Sequence, residues 1–223
     1  MIIEQNNCYN CDCEIGMKLM QEQGLKADWC ITDPPYGIGY NDMTGGGDNA
    51  CKRGEYTYKE WDKERIGGGL FDLMLDRSEN QIIFGGNYYT DILPPTKSWI
   101  VWNKRSNDMK NDFADCELAW CSQGVARVFN YQYMGMIQGD MRNKDERFHP
   151  TQKPTQIWCK LLNFYTKEGD LILDPFAGSQ SLRIACHKTN RRYIGFEIDK
   201  EYYEKGCEWY KRVTSQLSIF DML

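Results

Sequence analysis

The chain has 223 residues, of which 41% are hydrophobic and 13% aromatic, and its net charge is −5 at neutral pH. This composition favours a globular protein with a substantial core, and the acidic balance argues against a generally basic nucleic-acid coat protein. The sequence contains no apolar run of membrane-spanning length and does not start with a secretory signal, so we expect a cytoplasmic protein without membrane contact.

The ten cysteines are expected to be free thiols, because a reducing compartment disfavours disulfides. Cys8, Cys11 and Cys13 are spaced like half of a structural zinc site. The fourth ligand would have to come from one of two histidines, His149 and His187, or from a scattered cysteine. We therefore expect incidental buried thiols and no metal, with a zinc site as the alternative.

The first informative segment is ADWCITDPPYGIGY, residues 27–40. Residues 29–32 predict a short buried strand that ends at Asp33, because proline cannot donate to a β-ladder and biases the residue before it towards extended geometry. Pro34 and Pro35 stiffen the exit and hold Asp33 and Tyr36 rigidly, which suits a binding or catalytic edge. The polar, glycine-rich segment at residues 37–65 is longer than ordinary connections and predicts a mobile functional lid, with simple disorder as the alternative.

Apolar segments at residues 81–85, 98–102 and 116–121 predict further strands of one sheet, one of them antiparallel. After Pro154 the apolar residues recur at three- and four-residue spacings, which predicts a helix. Residues 171–188 and 191–213 then each read as a strand followed by a helix. This alternation predicts an α/β fold with a mostly parallel sheet and helices on both faces.

Asp33, Asp174 and Glu197 each lie at or just past the end of a predicted strand. Parallel strands place their C-termini on one edge, where ligands bind. One such acid could simply cap a helix, but three together indicate a site. The loop after Asp174 opens a helix whose free N–H groups, exposed beside Gly178, could receive a carboxylate. Glu197 could bind the two hydroxyls of a ribose, and the combined ligand would be S-adenosylmethionine.

Four motifs carry a resemblance to a known family: DPPY (33–36), HPTQKP (149–154), DPFAGS (174–179) and GFEID (195–199). In this order they resemble the β class of amino-group DNA methyltransferases, and residues 84–120 resemble small phage and prophage adenine methylases. The resemblance implies one Rossmann-like methyltransferase domain with a circularly permuted motif order in a bacterial cell. The chain departs from the family at Gln180, where these loops usually have glycine.

The resemblance also implies roles for individual residues. The amino group of a flipped-out base would donate to the carboxylate of Asp33 and the carbonyl of Pro34, while the base stacks on Tyr36. Asp12 would contact the cofactor, although an aspartate there could equally cap the first helix. The implied catalytic residues are Asp33, Pro34, Pro35 and Tyr36, and the implied cofactor-binding residues are Asp12, Lys153, Asp174, Phe176, Gly178, Ser179, Glu197 and Ile198.

The aspartate of DPPY favours adenine N6 as the acceptor, with cytosine N4 as the alternative. A carbon methylase would need a nucleophilic cysteine, usually in a Pro-Cys pair, and the chain contains no such pair. An asparagine in place of Asp33 would have suggested methylation of glutamine side chains. A nicotinamide dehydrogenase would need the G-x-G-x-x-G fingerprint, which is missing. An inactive DNA-binding regulator with the same fold is the non-enzyme alternative.

Double-stranded DNA is the implied partner, and residues 123–148 are the expected target-recognition insert. Because the insert is short, we expect a short target site or a homodimer. The segment QLSIF resembles the peptide with which bacterial proteins bind the replicative sliding clamp, although a helix end packed on the sheet would explain it as well. The candidate DNA-binding residues are Arg127, Tyr131, Tyr133, Arg142, Lys144 and Arg147, and the candidate clamp-binding residues are Gln216, Leu217, Ser218, Ile219 and Phe220.

Overall fold

The computed structural model describes residues 1–38, 64–105, 114–134 and 137–220; for residue 134 and residues 216–220 it describes the backbone alone. A mixed sheet runs through the described part of the chain. Its strands are β1 (Asn7–Tyr9), β2 (Ala27–Thr32), β3 (Ser78–Phe84), β4 (Trp99–Asn103), β5 (Cys116–Cys121), β6 (Arg127–Asn130), β9 (Leu171–Asp174) and β10 (Arg192–Phe196), with β7 (Tyr133–Met134) and β8 (Ile137–Gln138) forming a separate pair.

The strand order is β1-β10-β9-β2-β3-β5-β4-β6. Among these eight strands only β5 runs against the others, since it pairs antiparallel with both β3 and β4. Strand β2, which carries the DPPY segment, is thus the neighbour of β9, which leads into the loop beginning at Asp174. In the chain, β2 comes before β9, so the DPPY segment precedes the loop that begins at Asp174. A nucleotide-binding loop is ordinarily expected nearer the N-terminus, and the permuted motif order implied this exchange.

Helices cover both faces of the sheet, because alternate strand residues point to opposite sides. Helices α1 (Cys13–Glu22) and α2 (Gly68–Asp76) cover one face, where Met17, Phe71 and Ile83 share a core. Helices α3 (Thr155–Tyr165) and α4 (Ser181–Lys188) cover the other, where Trp158 and Leu182 pack on the sheet. Helix α5 (Lys200–Phe220) lies against α4.

The strands predicted at residues 81–85, 98–102 and 116–121 are confirmed as β3, β4 and β5, and the helix after Pro154 is confirmed as α3. The sequence patterns did not predict β1, α2 or β6. Strand β1 has three residues and pairs with β10, and three residues are too few for a periodic pattern. Over the described ranges, no helix combines the length and apolar character that a membrane crossing requires.

Candidate active site at the C-terminal edge of the sheet

The three acids predicted from strand ends lie on one edge of the sheet. Asp33 directly follows β2, Asp174 ends β9 and Glu197 directly follows β10. These strands are parallel neighbours in the order β10-β9-β2, so their C-terminal ends lie side by side. The structure therefore brings together the three positions that the sequence pattern had singled out.

Asp174 is buried and held by hydroxyl groups from both neighbouring strands. Thr32 of β2 donates to its Oδ1 at 2.8 Å, and Tyr193 of β10 donates to its Oδ2 at 3.2 Å. Gly195 lies opposite Asp174 in the ladder, and a Cβ there would overlap the Tyr193 hydroxyl. Burial raises the pKa of Asp174 to about 7, an effect that the Thr32 hydroxyl, the Phe176 N–H and the Tyr193 hydroxyl only partly oppose.

Glu197 closes the loop that follows Asp174. Its Oε2 accepts the N–H of Gly178 at 2.7 Å, and its Oε1 accepts the N–H of Asp199 at 2.8 Å. Gly178 adopts a left-handed conformation with φ +50°, and a Cβ there would meet the His149 ring at 3.5 Å. The loop backbone thus lies directly between the two carboxylates of β9 and β10.

Gln180 occupies the position where the resembling loops usually have glycine, and its backbone has the left-handed geometry that glycine favours, with φ +60°. Its side chain is fully buried and points to α5, where its Nε2 donates to the Tyr203 carbonyl at 2.9 Å. Its Oε1 accepts from Arg183 at 3.0 Å. The glutamine therefore ties the loop to two helices while the loop backbone keeps its turn.

Both carboxylate oxygens of Asp33 have protein donors. The hydroxyl of Tyr36 donates to Oδ1, and the ammonium of Lys153 pairs with Oδ2. The carbonyl of Pro35 accepts the hydroxyl of Tyr89. By contrast, the carbonyl of Pro34 accepts no hydrogen bond within the described part of the chain.

Tyr36 lies between a tyrosine ring and a glycine. Its ring stacks on the ring of Tyr88 with centroids 4.9 Å apart. The ring also packs directly on Gly85, where a Cβ would overlap it. Tyr36 also forms an antiparallel bridge with Arg65, which holds together the two ends of the predicted lid. Residues 39–63 of that lid lie outside the described residues.

Lys153 links Asp33 to a glutamate that the sequence did not single out. It is 5% exposed, its ammonium lies 3.2 Å from Oε2 of Glu117 on β5, and it sits 4.6 Å from the Phe84 ring centroid. Lys104 in turn binds Oε1 of Glu117 at 3.0 Å. The side chains form an alternating row of two cations and two anions, which we call the charge row: Lys104, Glu117, Lys153 and Asp33.

Burial and pairing act on the protonation of this row in opposite directions. Burial raises the pKa of Asp33, and Lys153 opposes that rise. Burial alone would lower the pKa of Lys153, but Asp33 and Glu117 together raise it. Burial likewise disfavours the charge on Glu117, yet Lys153 and Lys104 hold its pKa below the ordinary value. All charges of the row therefore depend on their neighbours.

The remaining predicted cofactor-binding residues differ in their surroundings. Asp12 caps α1, since its Oδ1 accepts the N–H of Glu14 at 2.7 Å, which is the alternative role considered for it. Ser179 is buried and Phe176 half-buried, whereas Ile198 is 67% exposed beside Glu197. A cofactor role for each of these residues stays a prediction.

The candidate DNA-binding residues divide into exposed and packed groups. Arg127, Arg142 and Lys144 are exposed. Arg147 is half-buried and donates to the Pro150 carbonyl at 2.7 Å. Two tyrosines, Tyr131 and Tyr133, pack against the core beside Trp102, and Tyr133 begins the β7–β8 hairpin. A DNA-binding role for each of these residues stays a prediction.

The clamp-like segment forms the last turns of α5, and its side chains lie outside the described residues.

The closely spaced cysteines lie in two separate environments, because Cys8 belongs to the core under α3 and α4 while Cys13 belongs to the core under α1 and α2. Both thiols are buried, and burial raises their pKa.

The acceptor groups of this edge fit S-adenosylmethionine. Two carboxylates on adjacent strands match a ligand with cationic groups at one end and a ribose diol at the other. Gly178 allows the loop its left-handed turn, with φ +50°, and leaves its backbone open to a ligand. The exposed Ile198 offers an apolar surface next to Glu197.

Glu117 and Lys104 are the site residues that sequence reasoning missed. Both lie near strand ends, Lys104 just after β4 and Glu117 near the start of β5, on the edge that carries Asp33. The reversed direction of β5 puts its N-terminal end on that edge. The sequence could have indicated the pair of Lys104 and Glu117 only if β5 had first been predicted to lie antiparallel beside β4.

Comparisons with known proteins agree with this geometry. The model of a family described as DNA methylase, N6/N4 type, matches residues 85–208. M.HpaI, a type II methyltransferase of Haemophilus parainfluenzae, is 41% identical over 243 residues, covering 93% of this chain and 74% of the relative. M2.MboI of Moraxella bovis is 29% identical over 135 residues, covering 55% of this chain and 44% of that relative.

Two solved structures share the fold. The M1.HpyAVI–SAM complex has a TM-score of 0.57 and 24% identity, with 91% of this chain and 98% of that chain covered. The PvuII DNA methyltransferase, described as cytosine-N4-specific, has a TM-score of 0.54 and 13% identity, with 95% and 93% covered. At these identities the likeness concerns the fold alone.

Proposed function

This chain belongs to the N6/N4 DNA methylase family, and we propose that it transfers a methyl group from S-adenosylmethionine to the N6 amino group of an adenine flipped out of double-stranded DNA. The observation that carries the proposal is the edge shared by Asp33, Asp174 and Glu197. On this edge, the carboxylate that would bind the amino group of the base, Asp33, lies beside the two carboxylates that would bind a cationic, ribose-containing ligand, Asp174 and Glu197.

In this proposal the cofactor lies across the ends of β9 and β10. Asp174 faces its cationic end, and Glu197, whose oxygens accept the N–H groups of Gly178 and Asp199, binds the ribose hydroxyls. When bound, S-adenosylmethionine supplies the methyl group from its sulfonium. Contacts of Phe176, Ser179 and Ile198 with the cofactor belong to the same proposal.

Asp33 and Pro34 would hold the amino group that is methylated. The nitrogen lone pair of an exocyclic amine is delocalised into the ring, so two acceptors on its N–H groups favour the pyramidal, nucleophilic form. The Pro34 carbonyl takes no protein donor among the described residues, and each Asp33 oxygen keeps a lone pair beyond its bond to Tyr36 or Lys153. The carboxylate also stabilises the positive charge that develops on the nitrogen.

The experiment that tests the activity is incubation of the protein with unmethylated bacterial DNA and isotopically labelled S-adenosylmethionine, followed by analysis of the modified nucleosides. N6-methyladenine is the expected product. N4-methylcytosine alone would overturn the choice of base in favour of the cytosine alternative. Cofactor binding without any methylated base would favour the inactive regulator.

A substitution tests the role of Asp33. Asp33→Asn keeps the size of the side chain but removes its charge, so turnover should fall by about 10²-fold or more while the Kd for S-adenosylmethionine stays within a few-fold. Normal turnover in this variant would overturn the mechanism.

Target recognition is proposed for residues 123–148 together with neighbouring strand ends. A cleft of about 610 Å³ lies at this part of the sheet, and its lining includes Asn103, Asn130, Tyr131, Gln132 and Gln156. Side-chain amides are suited to base edges in the major groove. Strands β2 and β4 are three strand spacings apart, about 14 Å, or about four base-pair steps. The cleft therefore fits bases that flank the flipped one.

The test for recognition compares the sequences that variants methylate. Gln156→Ala should relax the preference at one flanking position, because an amide contact to a base edge contributes about 1–3 kcal/mol of discrimination. Arg127→Ala should instead weaken binding to all sequences and reduce the salt dependence by about one charge. Unchanged sequence preference in Gln156→Ala would remove the cleft from the proposal.

Two further partners remain part of the proposal. Residues Gln216–Phe220 would bind the sliding clamp, and Leu217→Ala with Phe220→Ala should then abolish clamp binding in a pull-down without affecting methylation of free DNA. A homodimer would let two copies share recognition of a short site, and the sedimentation velocity of the protein with and without DNA tests it.

A further inference from the structure

The charge row contains a carboxylate oxygen that has no hydrogen bond. Oε2 of Glu117 is buried and finds no hydrogen-bond partner of acceptable geometry within the described residues, although the ammonium of Lys153 lies 3.2 Å away. The same ammonium makes a shorter contact with Asp33. Buried carboxylate oxygens normally have partners, so this incomplete pairing calls for a reason.

The position of Lys153 decides how Asp33 is presented. Its ammonium holds Oδ2, while Tyr36 holds Oδ1, so the carboxylate plane is determined by these two donors. The ammonium is also held by Glu117, at 3.2 Å, and by the ring of Phe84, 4.6 Å from its centroid. Without Glu117, nothing else charged among the described residues faces Lys153 except Asp33.

Charge adds a second reason for the pairing. The reaction places positive charge on the target nitrogen, and a neighbouring ammonium with one carboxylate partner would oppose it. Glu117 supplies a second negative charge beside Lys153, so the ammonium draws less on the charge of Asp33 that faces the substrate. Lys104, bonded to Oε1 of Glu117 at 3.0 Å, anchors that carboxylate on the side away from Asp33.

We propose that Glu117 is a positioning residue for methyl transfer: it holds and neutralises Lys153, which in turn orients the carboxylate of Asp33 toward the amino group of the target base. This inference rests on the proposed function. When the base donates to Asp33, Glu117 remains a second anionic partner of the Lys153 ammonium, at 3.2 Å.

The experiment is steady-state kinetics of Glu117→Gln on unmethylated bacterial DNA with S-adenosylmethionine. The glutamine keeps the shape and removes the charge, and kcat should fall by about 10²-fold, the scale of a small misplacement of a reacting group, while the KM values change little. Glu79→Gln is the matched control. Glu79 lies near the start of the neighbouring strand β3, at the opposite edge of the sheet, and pairs with Lys26 at 2.8 Å. This variant removes the charge of a paired glutamate away from the site and should leave kcat unchanged.

A double-mutant cycle separates positioning from a merely structural role. If Glu117 acts through Lys153, the double variant Glu117→Gln/Lys153→Met should be no slower than Lys153→Met alone. Additive losses would overturn the inference. So would a parallel loss of thermal stability and cofactor affinity in Glu117→Gln, because that outcome would make the glutamate a structural residue.

The pH profile gives an independent readout. Lys153 faces the anions Asp33 and Glu117; Asp33 also faces Tyr36 and lies near Asp174. Removing one of the two anions around Lys153 lowers the pKa of its ammonium, so the basic limb of the kcat profile should move to lower pH in Glu117→Gln. If the wild-type protein and Glu117→Gln have their basic limbs at the same pH, the proposal is contradicted. An inactive wild-type protein would instead refute the proposed function, which keeps the two failures distinct.

Discussion

The protonation of Asp174 offers a quantitative test of the proposed cofactor site. Because burial raises its pKa to about 7, most molecules of the free protein carry a neutral Asp174 carboxyl group at mildly acidic pH. A ligand that brings positive charge to the end of β9 stabilises the ionised form. Binding of S-adenosylmethionine should therefore release a proton at acidic pH, and its affinity should rise as the pH rises towards neutrality.

The size of the effect follows from the charge and its distance. One positive charge about 5 Å from the carboxylate, at an effective dielectric constant of about 20, contributes about 3 kcal/mol and lowers the pKa by about two units. A shift of that size makes the Kd about 20-fold smaller at about pH 7.5 than at about pH 5.5. The direction is set by the ligand favouring the deprotonated form.

Isothermal titration calorimetry measures both quantities. Titrations in two buffers with different ionisation enthalpies give the number of protons released, expected to approach one at about pH 6 and to vanish above about pH 8. Asp174→Asn is the matched control, because it keeps acceptor and donor atoms for Thr32 and Tyr193 but cannot titrate. A wild-type affinity that changes less than about twofold across this range, with no proton release, would refute the reasoning.

Two glycines test how closely the site is packed. Gly85→Ala should abolish turnover but preserve cofactor binding, since a Cβ at φ +65° would displace the Tyr36 ring; Gly69→Ala, with nothing within 4 Å, is the control in the same activity assay. Gly206→Ala should lower the free energy of unfolding by about 1–3 kcal/mol, because its Cβ would lie 2.5 Å from Nε2 of Gln180. Adding Gln180→Gly should recover part of that loss in chemical denaturation, and purely additive effects would contradict this contact.

Sequence patterns were sufficient for the strands that carry the site. The proline pair after Asp33, and the short apolar runs before Asp174 and Glu197, are local features, and strand ends follow from local features. That the three acids would meet required only the rule that parallel strands end on one edge. Strand β1 and helix α2 were not predicted from the sequence. The strand is too short to show a period, and the apolar residues of the helix are too uniform for a period to be visible.

The loop at Gln180 shows what the sequence left open. A glutamine in place of the usual glycine indicated an altered fit, but the direction of its side chain could not be read from the chain. The tertiary structure turns it away from the loop and towards α5, so that the left-handed turn is kept. The packing of one helix on another decided this.

By itself, then, the sequence determined an α/β protein whose acids gather at the ends of parallel strands, because periodicity and strand termini are properties of neighbouring residues. Only the tertiary structure decided which charges meet there. Glu117 and Lys153 are distant from Asp33 in the chain, and they reach it because β5 runs against its neighbours and α3 begins beside them. Side-chain pairing over such separations depends on the packed arrangement of the whole sheet, which no local pattern records.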